Sequence, residues 1–180
     1  MARLDGWQVV NQEVVFEHPW LRMIVETIER DGEQRPYFYL ESPVDAVAVV
    51  AVTQDGQLVL GREYRHPLRQ IIDNLPGGRV GVGEDPQEAA WRELAEETGY
   101  HAGRMELLGR VSPFPGSLKV TLHLYLASDL QPGPPRPDPG EELEIHLRPV
   151  GQVYQEVLNG EHLDAALHIG LLLARAKGLI

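Results

Sequence analysis

The sequence predicts a mixed chain of the α/β (α+β) class, on three observations. Val- and Ile-rich runs bounded by turn residues fill the chain up to Glu63. A helix with both ends marked follows at Pro86–Thr98, and the tail beyond Val150 is apolar at helical spacing.

Taken in order, Trp7–Phe16, Leu21–Glu29 and Pro36–Leu40 read as strands, the last carrying Tyr37 and Tyr39 around Phe38, and Arg30-Asp31-Gly32-Glu33 supplies a hairpin turn. Val44–Thr53 is nearly all Val and Ala, as in a strand buried on both faces. Asp55-Gly56 then turns it into Gln57–Glu63, which predicts a core hairpin. Gly77, Gly78, Gly81 and Gly83 lie so close together that the backbone must turn tightly there or approach something closely. The helix starts at Asp85 as N-cap, with Pro86 at its first position and Glu88 three residues after the cap, and Gly99 ends it. Met105–Val111 and Val120–Leu126 read as strands, and Glu144–Leu147 as a returning strand. Between them Gln131–Gly140, with five prolines, is a stiff surface loop. Val150–Leu158 and Leu163–Lys177 are predicted helices, and no internal repeat is visible.

Composition narrows the function classes. Of 180 residues, 43% are hydrophobic and 24% charged, which fits a globular core and excludes disorder, collagen and coiled coil. Gly 18 and Pro 14 make loops prominent. With 16 basic against 27 acidic residues the net charge is −11, which disfavours bulk attraction to DNA or to an anionic membrane. A small anionic substrate would need help from a cation. The absence of cysteine excludes disulfides, thiolate nucleophiles and iron–sulfur clusters and fits a reducing cytoplasm. Met1–Val10 has no apolar signal core, and Ile169–Ala174 is too short a run to span a bilayer.

On the predicted helix, Glu93, Glu96 and Glu97 fall within about 100° of arc. Such a group is either a solvated acidic face or, beside a tight glycine loop, a place where crowded carboxylates gain protons or gather a divalent cation. The spacing runs Gly78, five residues, Glu84, seven residues, then Arg92-Glu93-Leu94-Ala95-Glu96-Glu97-Thr98-Gly99-Tyr100. This resembles the Nudix box, G-x5-E-x7-R-E-U-x-E-E-x-G-U with U bulky and apolar, at every fixed position, with Tyr100 a mild substitute at the last. A dinucleotide or P-loop reading of Gly81-Val82-Gly83 fails, because no Gly-Lys-Ser/Thr follows.

The resemblance implies a Nudix fold, an α/β/α sandwich around a mixed sheet, and hydrolysis of a nucleoside diphosphate linked to another moiety. By the family pattern Glu93 and Glu97 ligate Mg²⁺ (or Mn²⁺ as a substitute), Glu96 is a further ligand and the Gly77 carbonyl another. Arg92 orients these glutamates, the alternative being an ordinary surface pair with Glu88 or Glu96. Glu84 is supporting rather than ligating. The requirement for a metal agrees with the repulsion between a diphosphate and both hydroxide and an acidic protein.

Features outside the box resemble the ADP-ribose pyrophosphatase subgroup. Pro115 stands sixteen residues after Gly99, where that subgroup has a marker proline, Leu75-Pro76-Gly77-Gly78 echoes its Leu-Pro-Ala-Gly, and Gly61–Pro67 looks like its strand before the substrate cleft. Arg62 and Arg65 on that strand are candidates to contact substrate. The subgroup implies a cytoplasmic homodimer, with residues 1–42 as an N-terminal β region for dimerisation and substrate contact and 43–180 as the Nudix domain. Two departures are Asn74, where many members have an acid, and a loop after the marker charged only by Lys119. The catalytic base is expected in the acidic segment before the last strand, first Glu141 and then Glu142, the alternative being a solvated acidic turn.

The scattered histidines form no H-E-x-x-H helix, and no G-x-S-x-G elbow exists, so zinc protease and serine hydrolase readings lack support. Trp7, Trp20, Tyr37 and Phe38 are expected in the core more than stacked on an adenine. The expectation is therefore a Mg²⁺-dependent hydrolase giving AMP and a sugar phosphate from ADP-ribose or an ADP-sugar. Its alternatives are hydrolysis of GDP-mannose, FAD or another nucleotide sugar, and a non-catalytic nucleotide-binding domain. Neither nucleic acid nor membrane is expected as a partner.

Overall fold

Alternation along one strand fixes the layers that position the site. In the computed structural model, which describes residues 6–136 and 142–180, the strands are, in chain order, β1 (Gln8–His18), β2 (Leu21–Arg30), β3 (Glu33–Glu41), β4 (Ala46–Ala51), β5 (Gln57–Arg65) and β6 (Gln70–Asn74). Helix α1 (Pro86–Thr98) precedes β7 (Tyr100–His101), β8 (Arg104–Val111), β9 (Leu118–Lys119), β10 (Leu122–Ser128), β11 (Gln131–Pro132) and β12 (Leu143–Pro149). Helices α2 (Val150–Leu158) and α3 (Ala165–Ala176) complete the chain. It divides into two units, Met1–Val44 with Ser112–Thr121, and Asp45–Val111 with Leu122–Ile180.

The first unit is a sheet in the order β1-β2-β3-β9. Asp31 (φ 54°) and Gly32 (φ 82°) form the two-residue turn that brings Arg30 opposite Glu33, as the Asp-Gly pair predicts. Ile24 and Ile28 are buried, whereas β1 is exposed along its whole length. The expectation of core aromatics is corrected here: Trp20 and Phe38 are 69% and 68% exposed, Trp20 in the turn between β1 and β2 with its ring edge-on to His18, and Phe38 on β3 opposite Val25. Tyr37 donates its hydroxyl to the Gly116 carbonyl, and the guanidinium carbons of Arg30 and Arg35 stand 4.4 and 4.0 Å from the Trp7 ring centroid.

In the second unit, β4 sends Val47, Val49 and Ala51 to one face and Ala48 and Val50 to the other. The first set packs with Ala89, Ala90 and Leu94 of α1, and the second with Leu167, Leu171 and Ala174 of α3 and Val153 and Val157 of α2. This is the α/β/α arrangement, and both-face burial is why β4 reads as an unbroken Val/Ala run. β10 runs parallel to β4 and antiparallel to β8, while β12, β5 and β6 form a separate antiparallel sheet.

The predicted core hairpin does not form. The turn exists, with Thr53 N–H donating to the Gln57 carbonyl at 2.9 Å, but β4 and β5 belong to different sheets and share only the bridge Val52 to Leu58. The edge of β4 is occupied instead by the glycine segment: Val47 N–H donates to the Gly78 carbonyl (2.9 Å) and Val49 N–H to that of Pro76 (2.8 Å). β6 is an element the sequence reading leaves out. It follows a turn in which Leu68 N–H donates to the Arg65 carbonyl and Arg69 adopts φ 53°.

The carboxy-terminal elements are tied by charge. Glu156 of α2 accepts from Arg148 Nη1 and Nη2 (2.8 and 2.5 Å) and lies 3.0 Å from His162 Nε2. The Arg148 hydrogen bonds, against the opposing effect of burial and with help from His162 and Gln152, lower the Glu156 carboxyl to about 2. Asp164 caps α3 by accepting from Leu167 N–H, and burial raises its carboxyl above the usual range. No helix among the described residues is long and apolar enough to cross a membrane.

Candidate active site

Pairing of Pro76 and Gly78 with β4 dictates what Gly77 does. In an extended segment successive peptide groups face opposite ways, so the Gly77 N–H and carbonyl are directed away from β4. The N–H donates to Glu97 Oε2 of α1 at 2.9 Å, which puts the Gly77 carbonyl on the side of the helix carboxylates. Gly77 admits no side chain, because a Cβ there would run into the Val47 carbonyl, and a Cβ at Gly78, 2.6 Å from the Glu93 carboxylate, would displace that carboxylate.

Helix α1 is fixed against this segment by its ends and its apolar side. Asp85 Oδ1 accepts from Gln87 N–H at 2.8 Å, Pro86 opens the helix, and Gly99 closes it at φ 74°. Burial of Ala89, Ala90, Leu94 and Thr98 leaves Glu93 and Glu97, one turn apart, facing the two glycines.

Arg92 links the rest. Its Nε and Nη2 form a fork on Glu84 (2.9 and 3.0 Å), Nη1 is shared by Glu93 Oε1 (2.8 Å) and Glu96 Oε2 (3.0 Å), and Nη2 also donates to the Arg79 carbonyl at 3.0 Å. Glu84 further accepts from Gly81 N–H at 2.6 Å. The Arg92 hydrogen bonds, then that of Gly81, hold the Glu84 carboxyl below the usual range against its partial burial, and these carboxylates raise the Arg92 guanidinium further. Arg92 thus makes the pair with Glu96 that the surface-pair alternative names, and joins it to Glu84 and Glu93 in a four-residue network. Of the three glutamates paired with Arg92, Glu96 has the most exposed side chain, 42% against 22% for Glu84 and 14% for Glu93.

Among the described residues no three Asp, Glu or His side chains already stand grouped for a metal ion, because Arg92 draws Glu93 and Glu96 toward itself. The donors nevertheless fit a hard divalent cation. They are all oxygens, the Glu93 carboxylate sits in the hollow left by the missing Gly78 side chain, and Glu97 is oriented by a backbone N–H.

The other expected site residues are dispersed. Arg62 and Arg65 are an odd number of positions apart on β5 and so point to opposite faces. Arg62 pairs with Asp73 (3.0 Å) and lines a cleft with Arg148, Glu156 and His162. Arg65 pairs with Glu63 (3.0 Å) and, through Nη2, with the side-chain oxygen of buried Asn74 (2.7 Å), whose amide donates to the Gly61 carbonyl. Pro115 belongs to the first unit. Glu142 is exposed beside Leu143, which is opposite Glu63 in the sheet, while Glu141 lies outside the described residues.

Motif reasoning missed a pocket of 270 Å³ beside Glu96, lined by Ala95, His101, Pro134 and Arg136. Nothing in the spacing signals it. It arises because Gln131–Pro132 pairs with Tyr100–His101 and Arg136 N–H donates to the Glu96 carbonyl at 2.7 Å.

A model of the NUDIX domain matches residues 42–167. The chain is 34% identical over 130 residues to the methanol dehydrogenase activator of Bacillus methanolicus, covering 72% of this chain and 70% of that protein. It is 31% identical over 123 residues to an ADP-ribose pyrophosphatase of Bacillus subtilis, covering 68% of this chain and 66% of that protein. A crystal structure titled as an ADP compounds hydrolase superposes over 100% of both chains with a TM-score of 0.87 at 24% identity, which concerns the fold. With the box intact from Gly78 to Tyr100 on this fold, the chain belongs to the Nudix hydrolase family.

Proposed function

We propose that this protein hydrolyses the diphosphate of ADP-ribose or a related nucleoside diphosphate sugar, with Mg²⁺, to AMP and a sugar phosphate. The observation that carries the proposal is the seating of Glu93 and Glu97 on the Gly77–Gly78 backbone, with Arg92 bonded to Glu84, Glu93 and Glu96 behind them. The substrate class comes from relatives named ADP-ribose pyrophosphatase. Nudix hydrolases generally use a divalent metal, and here Glu93, Glu97, the Gly77 carbonyl and Glu96 would hold it. Mg²⁺ when bound neutralises the diphosphate oxygens and acidifies a water. The chain's own part is to keep these oxygens in register through Arg92 and Gly77, and to take the proton of the attacking water on Glu141, or failing that Glu142.

A second reading, a different nucleotide sugar such as GDP-mannose, or FAD, is favoured by Asn74, which stands where the subgroup commonly has an acid. Arg65, which pairs instead with Glu63, is the candidate substrate contact on that face of β5. A panel of ADP-ribose, GDP-mannose and FAD decides between the readings. The expected result is the highest kcat/KM on ADP-ribose, and a loss of about 10² in kcat with little change in KM for Glu141→Gln. Highest activity on another nucleotide overturns the substrate, and full activity in Glu141→Gln moves the base to Glu142.

The exposed edge strand β1, with Val9, Val14 and Phe16 about half exposed, supports a homodimer formed through the first unit. Light scattering should return twice the 20.1 kDa chain mass, and the monomer mass at micromolar concentration would contradict it.

A further inference from the structure

We propose that Arg136 receives the phosphate of the sugar-phosphate half of the substrate, in the pocket beside Glu96, and thereby sets the preference for a phosphorylated leaving group. The inference rests on the diphosphatase reading above and names the part of the substrate this pocket takes. A dianionic leaving group emerging next to carboxylates, in a protein of net charge −11, needs a cation of its own. Arg92 cannot serve, because all of its nitrogens are committed to Glu84, Glu93, Glu96 and the Arg79 carbonyl. Arg62, Arg65 and Arg148 are paired with Asp73, Glu63 and Glu156.

Arg136 differs on both counts. Its guanidinium makes no hydrogen bond or ion pair among the described residues, and its backbone N–H is fixed to the Glu96 carbonyl at 2.7 Å, one turn along α1 from Arg92. The tether is tight: a Cβ on Gly99 would run into the Gly133 carbonyl and stand 2.8 Å from Pro135 N, so the helix end and the proline segment cross backbone to backbone. The pocket so formed, 270 Å³, is close to the lower end of the range for small-molecule sites, about 300 Å³, and suits a sugar-sized group. His101 and Pro134 complete the lining with a polar ring and an apolar one. The charge that opposes a phosphate here is Glu96, the glutamate placed to turn toward a divalent cation, so phosphate should bind in the presence of Mg²⁺.

The test compares the wild-type protein with Arg136→Gln and Arg136→Lys, in Mg²⁺, using ribose 5-phosphate and AMP as separate probes of the two halves. The expected result is that Arg136→Gln raises the KM for ADP-ribose and weakens ribose 5-phosphate binding, measured by calorimetry, each by about tenfold. AMP binding and the Mg²⁺ midpoint stay unchanged, and Arg136→Lys recovers most of the loss. Ribose 5-phosphate binding that is equal in wild type and Arg136→Gln, or absent from the wild type, overturns the inference, as does an equal weakening of AMP. A wild type that cleaves no nucleoside diphosphate sugar overturns the diphosphatase reading instead, and the calorimetric comparison still decides the role of Arg136.

Discussion

Glu97→Gln should lower kcat/KM by a factor on the order of 10³ while leaving the melting temperature within a few degrees of wild type. The fold survives because an amide oxygen can replace the carboxylate as acceptor for Gly77 N–H, and α1 keeps Ala89, Ala90, Leu94 and Thr98 in the core. Activity does not survive, because the substitution removes one full negative charge from a set of oxygens proposed to hold a divalent cation. Several kcal/mol of transition-state stabilisation go with that cation, which converts to two to four decades of rate, so about 10³ is the middle of the range. The Mg²⁺ concentration for half-maximal rate should rise by more than about tenfold. Steady-state kinetics at varied Mg²⁺, with a thermal melt of the same sample, reads both quantities. Unchanged activity would remove Glu97 from the metal set, and a collapsed melt would make its role structural.

Arg92→Ala is expected to cost about 10² in kcat, with a smaller change in the Mg²⁺ midpoint, because its two effects on metal have opposite signs. Removing a positive charge next to Glu93 and Glu96 strengthens attraction for Mg²⁺. Removing the five hydrogen bonds that Arg92 makes frees the Glu84, Glu93 and Glu96 side chains from their common register. Orientation dominates the rate, where misplacement of about 1 Å can cost 10², and charge dominates the affinity. Stability should fall by about 1–3 kcal/mol: the Arg92 side chain is 36% exposed, so the cost stays below that of a fully buried pair. Arg92→Lys restores the charge but not the fork on Glu84, and should recover less than half of the lost decades. A Mg²⁺ midpoint that rises in Arg92→Ala as far as in Glu97→Gln would contradict the orienting role.

What could be read in advance follows the range of the interactions involved. The box is local in sequence, and helix spacing alone brings Glu93, Glu96 and Glu97 together, so the acidic face and its caps at Asp85 and Gly99 were legible. The both-face burial of β4 was legible too, from its Val/Ala run. Its neighbours were not, because the parallel partner β10 is more than seventy residues away and the other edge is taken by Pro76–Gly78, a segment whose glycines suggest only a tight turn or close approach. β6 escaped because Ile71 and Ile72 stand side by side and give no alternation. The assignment of Ser112–Thr121 to the first unit depends on long-range bonds such as Leu40 N–H to the Ser117 carbonyl, which no local pattern announces. The separation of Arg62 from Arg65 was available from strand parity, and the pocket at Arg136 was not, since it is made by a proline segment crossing the end of α1.

The most direct measurement is to incubate the purified protein with ADP-ribose, in Mg²⁺ or in EDTA, and to identify the products by mass. The account predicts AMP and ribose 5-phosphate in Mg²⁺ and intact ADP-ribose in EDTA. Equal turnover in EDTA, or ADP-ribose left intact in Mg²⁺ by a protein that still melts cooperatively, would contradict it.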